Sequence, residues 1–366
     1  MNVFLIETPL QLLNAIEARN HFKFKNNILL ILLTNYFGIN SFNNLVDKDS
    51  WDTIRYIPFL SNCSTYDFGM QRPQNLYERC IEYYIILQQL LKRCRLDKII
   101  KSIGSVNNII LGNYLQGHKD YMRHFGNSLT HEKIYIVDDG TDTILINRER
   151  INELSVVGNE QNNDVSWLKK VKRSLRESYI DWNGRSASSI TFFSCYDLSV
   201  TAADTFVKNE YSYLRKIAQN SANVDEVIFL GQCLIEDGYI SKENYQLYLL
   251  KVKEYFKNEK LIYVPHPRES MQSVEYLKKT VGIEIRKLST PIEYEIAYGG
   301  KRPKYLSSFF CSALENCLLI MDKTIHIKSF YLCPQHLLRH KNSVQEIYIY
   351  FETKVNPAFE VIKFDL

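Results

Sequence analysis

A chain of 366 residues exceeds one ordinary hydrophobic core and suits two domains of roughly 150–200 residues each. Its 45% hydrophobic and 23% charged residues exclude a disordered or fibrous chain. The formal charge of only +4 excludes a dedicated nucleic-acid binder, which would carry a basic stripe.

The opening Met1-Asn2-Val3-Phe4-Leu5-Ile6-Glu7 has no basic leader and no small-residue cleavage site, so it reads as a strand over 3–6. A helix over 9–20 follows, with Thr8 as cap, Pro9 at the first helical position and Gln11 completing a capping box. Strands are expected at 28–33 and 53–57, a long amphipathic helix at 76–94, a strand at 108–111, a helix at 115–125 and a strand at 133–137. Between 141 and 222 the pattern weakens, with a polar loop at 158–166, helices at 167–177 and 203–219, and a strand at 190–194. Alternation then resumes. Strands are expected at 226–230, 260–264, 284–288 and 305–309, with helices at 242–256, 273–279 and 291–298. Strands at 318–321 and 325–327, a helix at 344–351 and a strand at 361–364 close the chain.

This alternation predicts two α/β domains, 1–220 and 221–366, each a parallel sheet covered by helices. In such sheets the ligand sits beyond the carboxyl ends of the strands. The longest apolar run, 28–33, falls far short of the ~20 residues that span a bilayer, so a cytoplasmic protein is expected. Cys63, Cys80, Cys94, Cys195, Cys233, Cys311, Cys317 and Cys333 include no Cys-x-x-Cys pair and are expected to be reduced and mostly buried, without structural zinc.

Three polar clusters stand at strand ends. Asp138-Asp139-Gly140 offers a carboxylate as general base, and alternation along an extended segment lets only one of the two face a substrate. A plain Asp-Gly turn with solvated carboxylates is the structural alternative. His266-Pro267-Arg268 follows the 260–264 strand. The imidazole can donate to a leaving phosphate and the guanidinium can fork its oxygens, unless the segment is only a stiffened turn. Ser307-Ser308-Phe309-Phe310-Cys311-Ser312 runs from a strand into a helix start, where hydroxyls and free N–H groups can hold an anion or simply cap the helix. Two look-alikes fail. Gly112 to Lys119 has His118 where a phosphate-binding loop needs lysine, and Asp67-Phe68-Gly69 lacks a catalytic His-Arg-Asp.

The order and spacing of these clusters resemble bacterial sialyltransferases, and glycosyltransferase family 52 most. The acidic motif resembles Val137-Asp138-Asp139-Gly140-Thr141, the histidine motif Val264-Pro265-His266-Pro267-Arg268, and the phosphate-side motif Phe309-Phe310-Cys311-Ser312-Ala313-Leu314. Thr8-x-Leu10-Gln11 and Leu230-Gly231 also look like family positions. The resemblance implies a GT-B fold, two facing Rossmann-like domains with a cleft between them. It also implies CMP-sialic acid as donor, inversion at the anomeric carbon, and neither metal nor cofactor. By it one aspartate of the pair, Asp138 in preference to Asp139, supplies the base, and His266 acts on the departing CMP phosphate. Ser307, Ser308 and Ser312 hold that phosphate, and Glu293 holds the ribose, with Pro267, Arg268 and Gly231 completing the donor site. A second acidic position after the Leu-Gly turn competes for the base. Glu236 and Asp237 stand there, but an insertion at 232–235 blurs the match.

The expected partners are therefore a CMP-sugar and a glycan acceptor, such as a lipooligosaccharide or capsule chain, with no nucleic acid. A homodimer is compatible with the reading. Lys169, Lys170, Lys172, Arg173 and Arg176 could rest on anionic lipid at the inner membrane face, where a lipid-linked acceptor is held, or form a solvated basic face. Other CMP-nonulosonic acids, nucleotide-linked hexoses, a UDP-sugar isomerase and a non-catalytic glycan binder remain as alternatives.

Overall fold

The computed structural model describes residues 1–34, 37–58, 76–115, 120–156, 182–321, 324–354 and 356–365. The loop at 158–166 and the basic helix at 167–177 lie outside the described residues. The chain divides into two compact units, Met1–Asn209 and Glu210–Leu366.

The first unit runs β1 (Asn2–Ile6), α1 (Pro9–His21), β2 (Asn27–Leu33), α2 (Asn40–Asn43), β3 (Thr53–Pro58), α3 (Leu76–Ile103) and β4 (Asn108–Leu111). It continues with α4 (Asp120–Ser128), β5 (Lys133–Val137), α5 (Asp142–Val156), β6 (Thr191–Ser194) and β7 (Thr205–Lys208). Its strands pair in parallel in the order β3-β2-β1-β4-β5-β6-β7. Val3, Phe4, Leu5 and Ile6 of β1 are all fully buried, as a central parallel strand covered on both faces requires. Leu5, Leu32, Ile109, Leu111, Met122 and Phe125 join one core cluster. Thr8 caps α1 by accepting from the Gln11 amide at 3.1 Å. The Gln11 side chain, however, reaches back to the Glu7 amide at 2.8 Å, one residue before the cap.

The second unit begins with α6 (Ser212–Ala218), β8 (Ala222–Leu230), α7 (Lys242–Tyr255), β9 (Leu261–Val264), α8 (Met271–Val281) and β10 (Glu284–Ile285). It ends with α9 (Ile292–Tyr298), β11 (Lys301–Ser308), α10 (Ala313–Met321), β12 (His326–Phe330), α11 (Lys341–Glu352) and β13 (Phe359–Ile362). These strands pair in parallel in the order β10-β9-β8-β11-β12-β13. In each sheet the chain builds outward from its first strand, β1 or β8, and then crosses to that strand's other side. The carboxyl ends of β1 and β4, and of β8 and β11, are therefore the topological switch points, where open α/β sheets take their ligands.

Three expectations are corrected. Residues 203–219 are not one helix but β7 followed by α6. Asp204, just before β7, forks with Arg150 at 3.0 and 2.9 Å and accepts from the Ile190 amide, a buried arrangement that fixes the strand start. Residues 318–321 are not a strand but the end of α10. Leu314, Cys317, Leu318, Ile320 and Met321 are all buried, so the helix lacks the polar face that would have revealed its period. The division falls after Asn209 rather than at 220, because α6 packs on α9 and α10, and Arg215 Nε donates to the Leu319 carbonyl at 2.8 Å.

Candidate active site

In the second unit three strand ends lie side by side, β9, β8 and β11, and each carries one sequence motif. His266 follows β9. The Arg268 amide donates to His266 Nδ1 at 3.2 Å, and Cys233 Sγ lies 3.0 Å from the same nitrogen. An N–H donor at Nδ1 requires that nitrogen to be bare, so the neutral ring carries its proton on Nε2. Burial, followed by the charge of Arg268, lowers the imidazole to about 4, although Asp237 and Glu236 pull the other way. His266 is thus neutral near pH 7 and presents Nε2–H as a donor.

The loop is held from beneath by Glu269. Its Oε1 accepts from the His266 amide at 2.7 Å and its Oε2 from the Tyr263 hydroxyl at 2.7 Å, which in turn pairs with Tyr245 at 2.9 Å. Burial raises the Glu269 carboxyl to about 7. A Cβ on Gly231 would stand 2.2 Å from Glu269 Oε1 and 2.4 Å from the Tyr263 hydroxyl, so this network passes through the space that a side chain at 231 would fill. Pro267 and Arg268 are exposed, and Arg268 makes long contacts of 3.4 and 3.2 Å to Asp237. Such an exposed pair is weak and exchangeable. Glu236 accepts from the Ser270 amide at 2.9 Å, at the cap of α8. Burial would raise its carboxyl, but bonds from Ser270 and Ser273 hold it below the usual range. Glu236 and Asp237 are both engaged within their own unit.

At the end of β11 the serines do not all do what was expected. Ser307 and Ser308 are fully buried, and their hydroxyls donate to the β8 carbonyls of Ile228 and Leu230 at 3.1 and 2.7 Å. Neither presents a proton to a phosphate in this form, because adjacent parallel strands bring those carbonyls within reach first. Ser312 is half-buried at the start of α10, its carbonyl accepting from Glu315 and Asn316. Phe309 anchors this turn by packing edge-on against Phe229, with ring centroids 5.2 Å apart. Glu293 of α9 accepts from Asn316 Nδ2 at 2.9 Å. Burial raises its carboxyl, and its charge adds to the burial that pushes Cys311 up to about 12. The ribose candidate therefore lies beneath the serine turn, 4% exposed.

In the first unit Asp138 and Asp139 follow β5, and Gly140 turns the chain with φ 63°. The two side chains diverge, as alternation predicts. Asp138 is 1% exposed. Its Oδ2 accepts from the Cys195 amide at 2.7 Å, and its Oδ1 is buried with no hydrogen-bond partner. Burial raises this carboxyl to about 6 against the opposing bonds of Ser194, Cys195 and Thr143. Asp139 is half-buried and accepts from Asn113 Nδ2 at 2.7 Å. The more exposed carboxylate is thus Asp139, because β6 covers Asp138. Asn14 donates to the Asp138 carbonyl at 3.0 Å, and Tyr121 donates to the buried Glu7. Gln11 Nε2 is buried without a partner.

Sequence reasoning missed Glu7, Asn113, Tyr121, Gln232, Cys233 and Glu269. Their one available signal was position: each stands within about ten residues of a strand's carboxyl end. A cavity of about 530 Å³ lined by Met1, Asn2, Lys23 and Lys133 opens at the amino ends of β1 and β5, away from these groups. Among the described residues no three His, Cys, Asp or Glu side chains converge as a metal site. Nor is any described helix long and apolar enough to cross a membrane.

No family model matches the chain, and no curated protein does. Among solved structures it is similar to an α/β-galactoside α-2,3-sialyltransferase from the luminous marine bacterium Photobacterium phosphoreum. The identity is 12%, over 99% of this chain and 97% of that one, with a TM-score of 0.51. It is also similar to the E. coli heptosyltransferase WaaC with ADP (11% identity, 96% and 98% covered, TM-score 0.39). A third is Acinetobacter baumannii MurG (10% identity, 99% and 85% covered, TM-score 0.38). The first similarity establishes the fold, two parallel-sheet α/β domains of the GT-B type; the other two are too loose to add to it.

Proposed function

We propose that the chain is an inverting sialyltransferase, moving a sialic-acid-type sugar from a CMP donor to a hydroxyl of a bacterial surface glycan, with galactose as the first candidate. The observation that carries this reading is the cluster beside the β8–β11 switch point: a neutral imidazole with a donor Nε2–H and an exchangeable guanidinium next to it. That pairing suits a departing phosphate monoester. The full-length likeness to an α-2,3-sialyltransferase accords with it.

In this scheme the acceptor hydroxyl binds at the acidic turn, and a local opening of that turn uncovers Asp138 Oδ1, which is buried in the form described, so that the hydroxyl donates to it. An unsatisfied buried acceptor costs about 1–3 kcal/mol, so a ligand hydroxyl that satisfies it gains that much. As the acceptor oxygen bonds to the anomeric carbon, its proton passes to Asp138, and the bond from that carbon to the phosphate oxygen breaks. A carboxyl raised to about 6 is still ionised at pH 7.5, yet is a stronger base than an ordinary aspartate. CMP leaves with both electrons of the broken bond. His266 Nε2–H and Arg268 meet the charge that develops on its phosphate. Ser312 and the first turn of α10 add backbone donors, and Glu293, buried and bonded to Asn316, supports that turn from beneath. Asp139 orients the acceptor. No step calls on a metal. The test is thermal stabilisation by CMP, UMP, UDP and GDP in EDTA. A ligand at 100 times its Kd stabilises by about 2.7 kcal/mol, and CMP is expected to do so alone. Stabilisation only by UDP or GDP, or only with a divalent ion present, would overturn the reading.

A further inference from the structure

We infer that Gln232 is a phosphate-contacting residue of the donor site, its side-chain amide nitrogen donating to the oxygens of the nucleotide phosphate. This rests on the CMP-donor reading above and fills the place that Ser307 and Ser308 leave open.

Gln232 follows Gly231 at the carboxyl end of β8, on one side of the switch point. Its side chain reaches across to the end of β11. There Oε1 accepts from the Phe310 amide at 3.1 Å, with the Ser308 hydroxyl oxygen 3.3 Å away and its proton turned to the Leu230 carbonyl. The Phe310 N–H can only donate, which identifies the atom facing it as the amide oxygen and fixes the orientation of the group. The backbone is held too, since the Gln232 amide donates to the Tyr245 hydroxyl at 3.4 Å. What remains is the NH2 group. It has no acceptor among the described residues, and the residue is only half-buried.

The neighbours of that free donor decide what it serves. Phe310, to which the carbonyl is tied, lies in the turn that opens into α10. The next residue, Cys233, holds His266 Nδ1 at 3.0 Å. Residues 232 and 233 therefore bridge the serine turn and the imidazole loop, and the free amide nitrogen belongs to the stretch between them. A group with two N–H donors and no acceptor, held at both ends, suits a phosphate oxygen better than a sugar hydroxyl, which also needs somewhere to donate. Pre-fixed donors of this kind contribute without reorganising when charge develops.

The test is Gln232→Glu in the full chain. The substitution keeps an oxygen for the Phe310 amide but replaces the NH2 by a second, anionic oxygen. Calorimetric titration in EDTA with CMP and with cytidine is expected to show the CMP Kd rising about tenfold or more, with cytidine affinity and melting temperature unchanged. Gln232→Met, of similar size and uncharged, is expected to weaken CMP less than Gln232→Glu and to lower the melting temperature by freeing Phe310. Unchanged CMP affinity in Gln232→Glu would overturn the inference while leaving the CMP reading intact. Equal losses for CMP and cytidine would overturn it too, by showing an effect through folding. Failure of the unsubstituted chain to bind CMP would overturn the donor reading, and this inference with it.

Discussion

Replacing Asp138 by Asn should make the protein more stable and almost inactive. Burial lifts this carboxyl from 3.8 to about 6, so between those pH values the folded chain holds a proton that the unfolded chain has lost. A raised acid works against folding once it ionises. Its cost is absent below about pH 4, grows as pH rises through about 6, and is complete above. At 1.36 kcal/mol per pH unit the ionised group costs the fold about 3 kcal/mol at pH 7.5. Asn carries no charge and still offers an oxygen to the Cys195 amide. Its NH2 takes the position of an oxygen that had no partner, which removes part of the gain. The variant is therefore expected to be more stable by about 1–3 kcal/mol at pH 7.5 and equal to the parent at pH 4. Urea unfolding at pH 4, 5, 6 and 7.5 measures this. The difference between the two proteins isolates Asp138 from Glu269, which titrates in the same direction in both. Turnover at saturating donor and acceptor should fall by about 10²–10⁴, the usual contribution of a general base. A stability gain joined to an activity loss marks a carboxylate retained for function. Destabilisation at every pH would instead show a structural turn. Normal turnover would move the base to Asp139, Glu236 or Asp237, tested by the corresponding amides.

Three further outcomes are expected. Gly231→Ala puts a Cβ 2.2 Å from Glu269 Oε1, so it should destabilise the fold by about 1–3 kcal/mol in denaturant titration; parent-like stability would show that Glu269 moves aside freely. Arg268→Ala should weaken CMP more than cytidine by calorimetry, because only CMP carries the phosphate that the guanidinium meets; equal losses would assign Arg268 to folding or base recognition. Cys233→Ala opens space beside His266 and should raise its pKa from about 4 toward 6.5 in a nitrogen-detected NMR titration. Because burial lowers this group, the stability it costs appears as pH falls from about 6.5 through 4, and the variant should lose less there; an unchanged titration would deny Cys233 any part in the imidazole's setting.

Much of the fold was legible because central parallel strands write themselves as short apolar runs between turn signals. The strands over 108–111 and 133–137 coincide with β4 and β5, and Ser312 stands at the start of α10 as its position suggested. What failed was context. Residues 318–321 look like a strand when apolar faces alone are counted, and only the neighbours that bury α10 on every side make them helical. Thr205, Phe206 and Val207 carried the strand signal of β7, but Ala202 and Ala203 before them and the helical stretch after masked it. At the site the motifs marked the correct strand ends but not the direction of each side chain. Ser307 and Ser308 turn inward because β8 offers carbonyls at hydrogen-bond distance, and Asp138 is covered because β6 lies beside β5. Gln232 and Cys233 read in the sequence as part of an insertion, since no residue pattern announces that one turn will touch two other strand ends.

The most direct test of the central claim is to incubate the full chain with CMP-N-acetylneuraminic acid and a galactose-terminated acceptor in EDTA, and to analyse the product by NMR. Inversion of the β-linked donor requires an α-linked sialoside, formed as CMP is released. A β-linked product would contradict the single displacement through Asp138. An intact CMP donor alongside consumption of a UDP- or GDP-hexose would contradict the sialyltransferase itself.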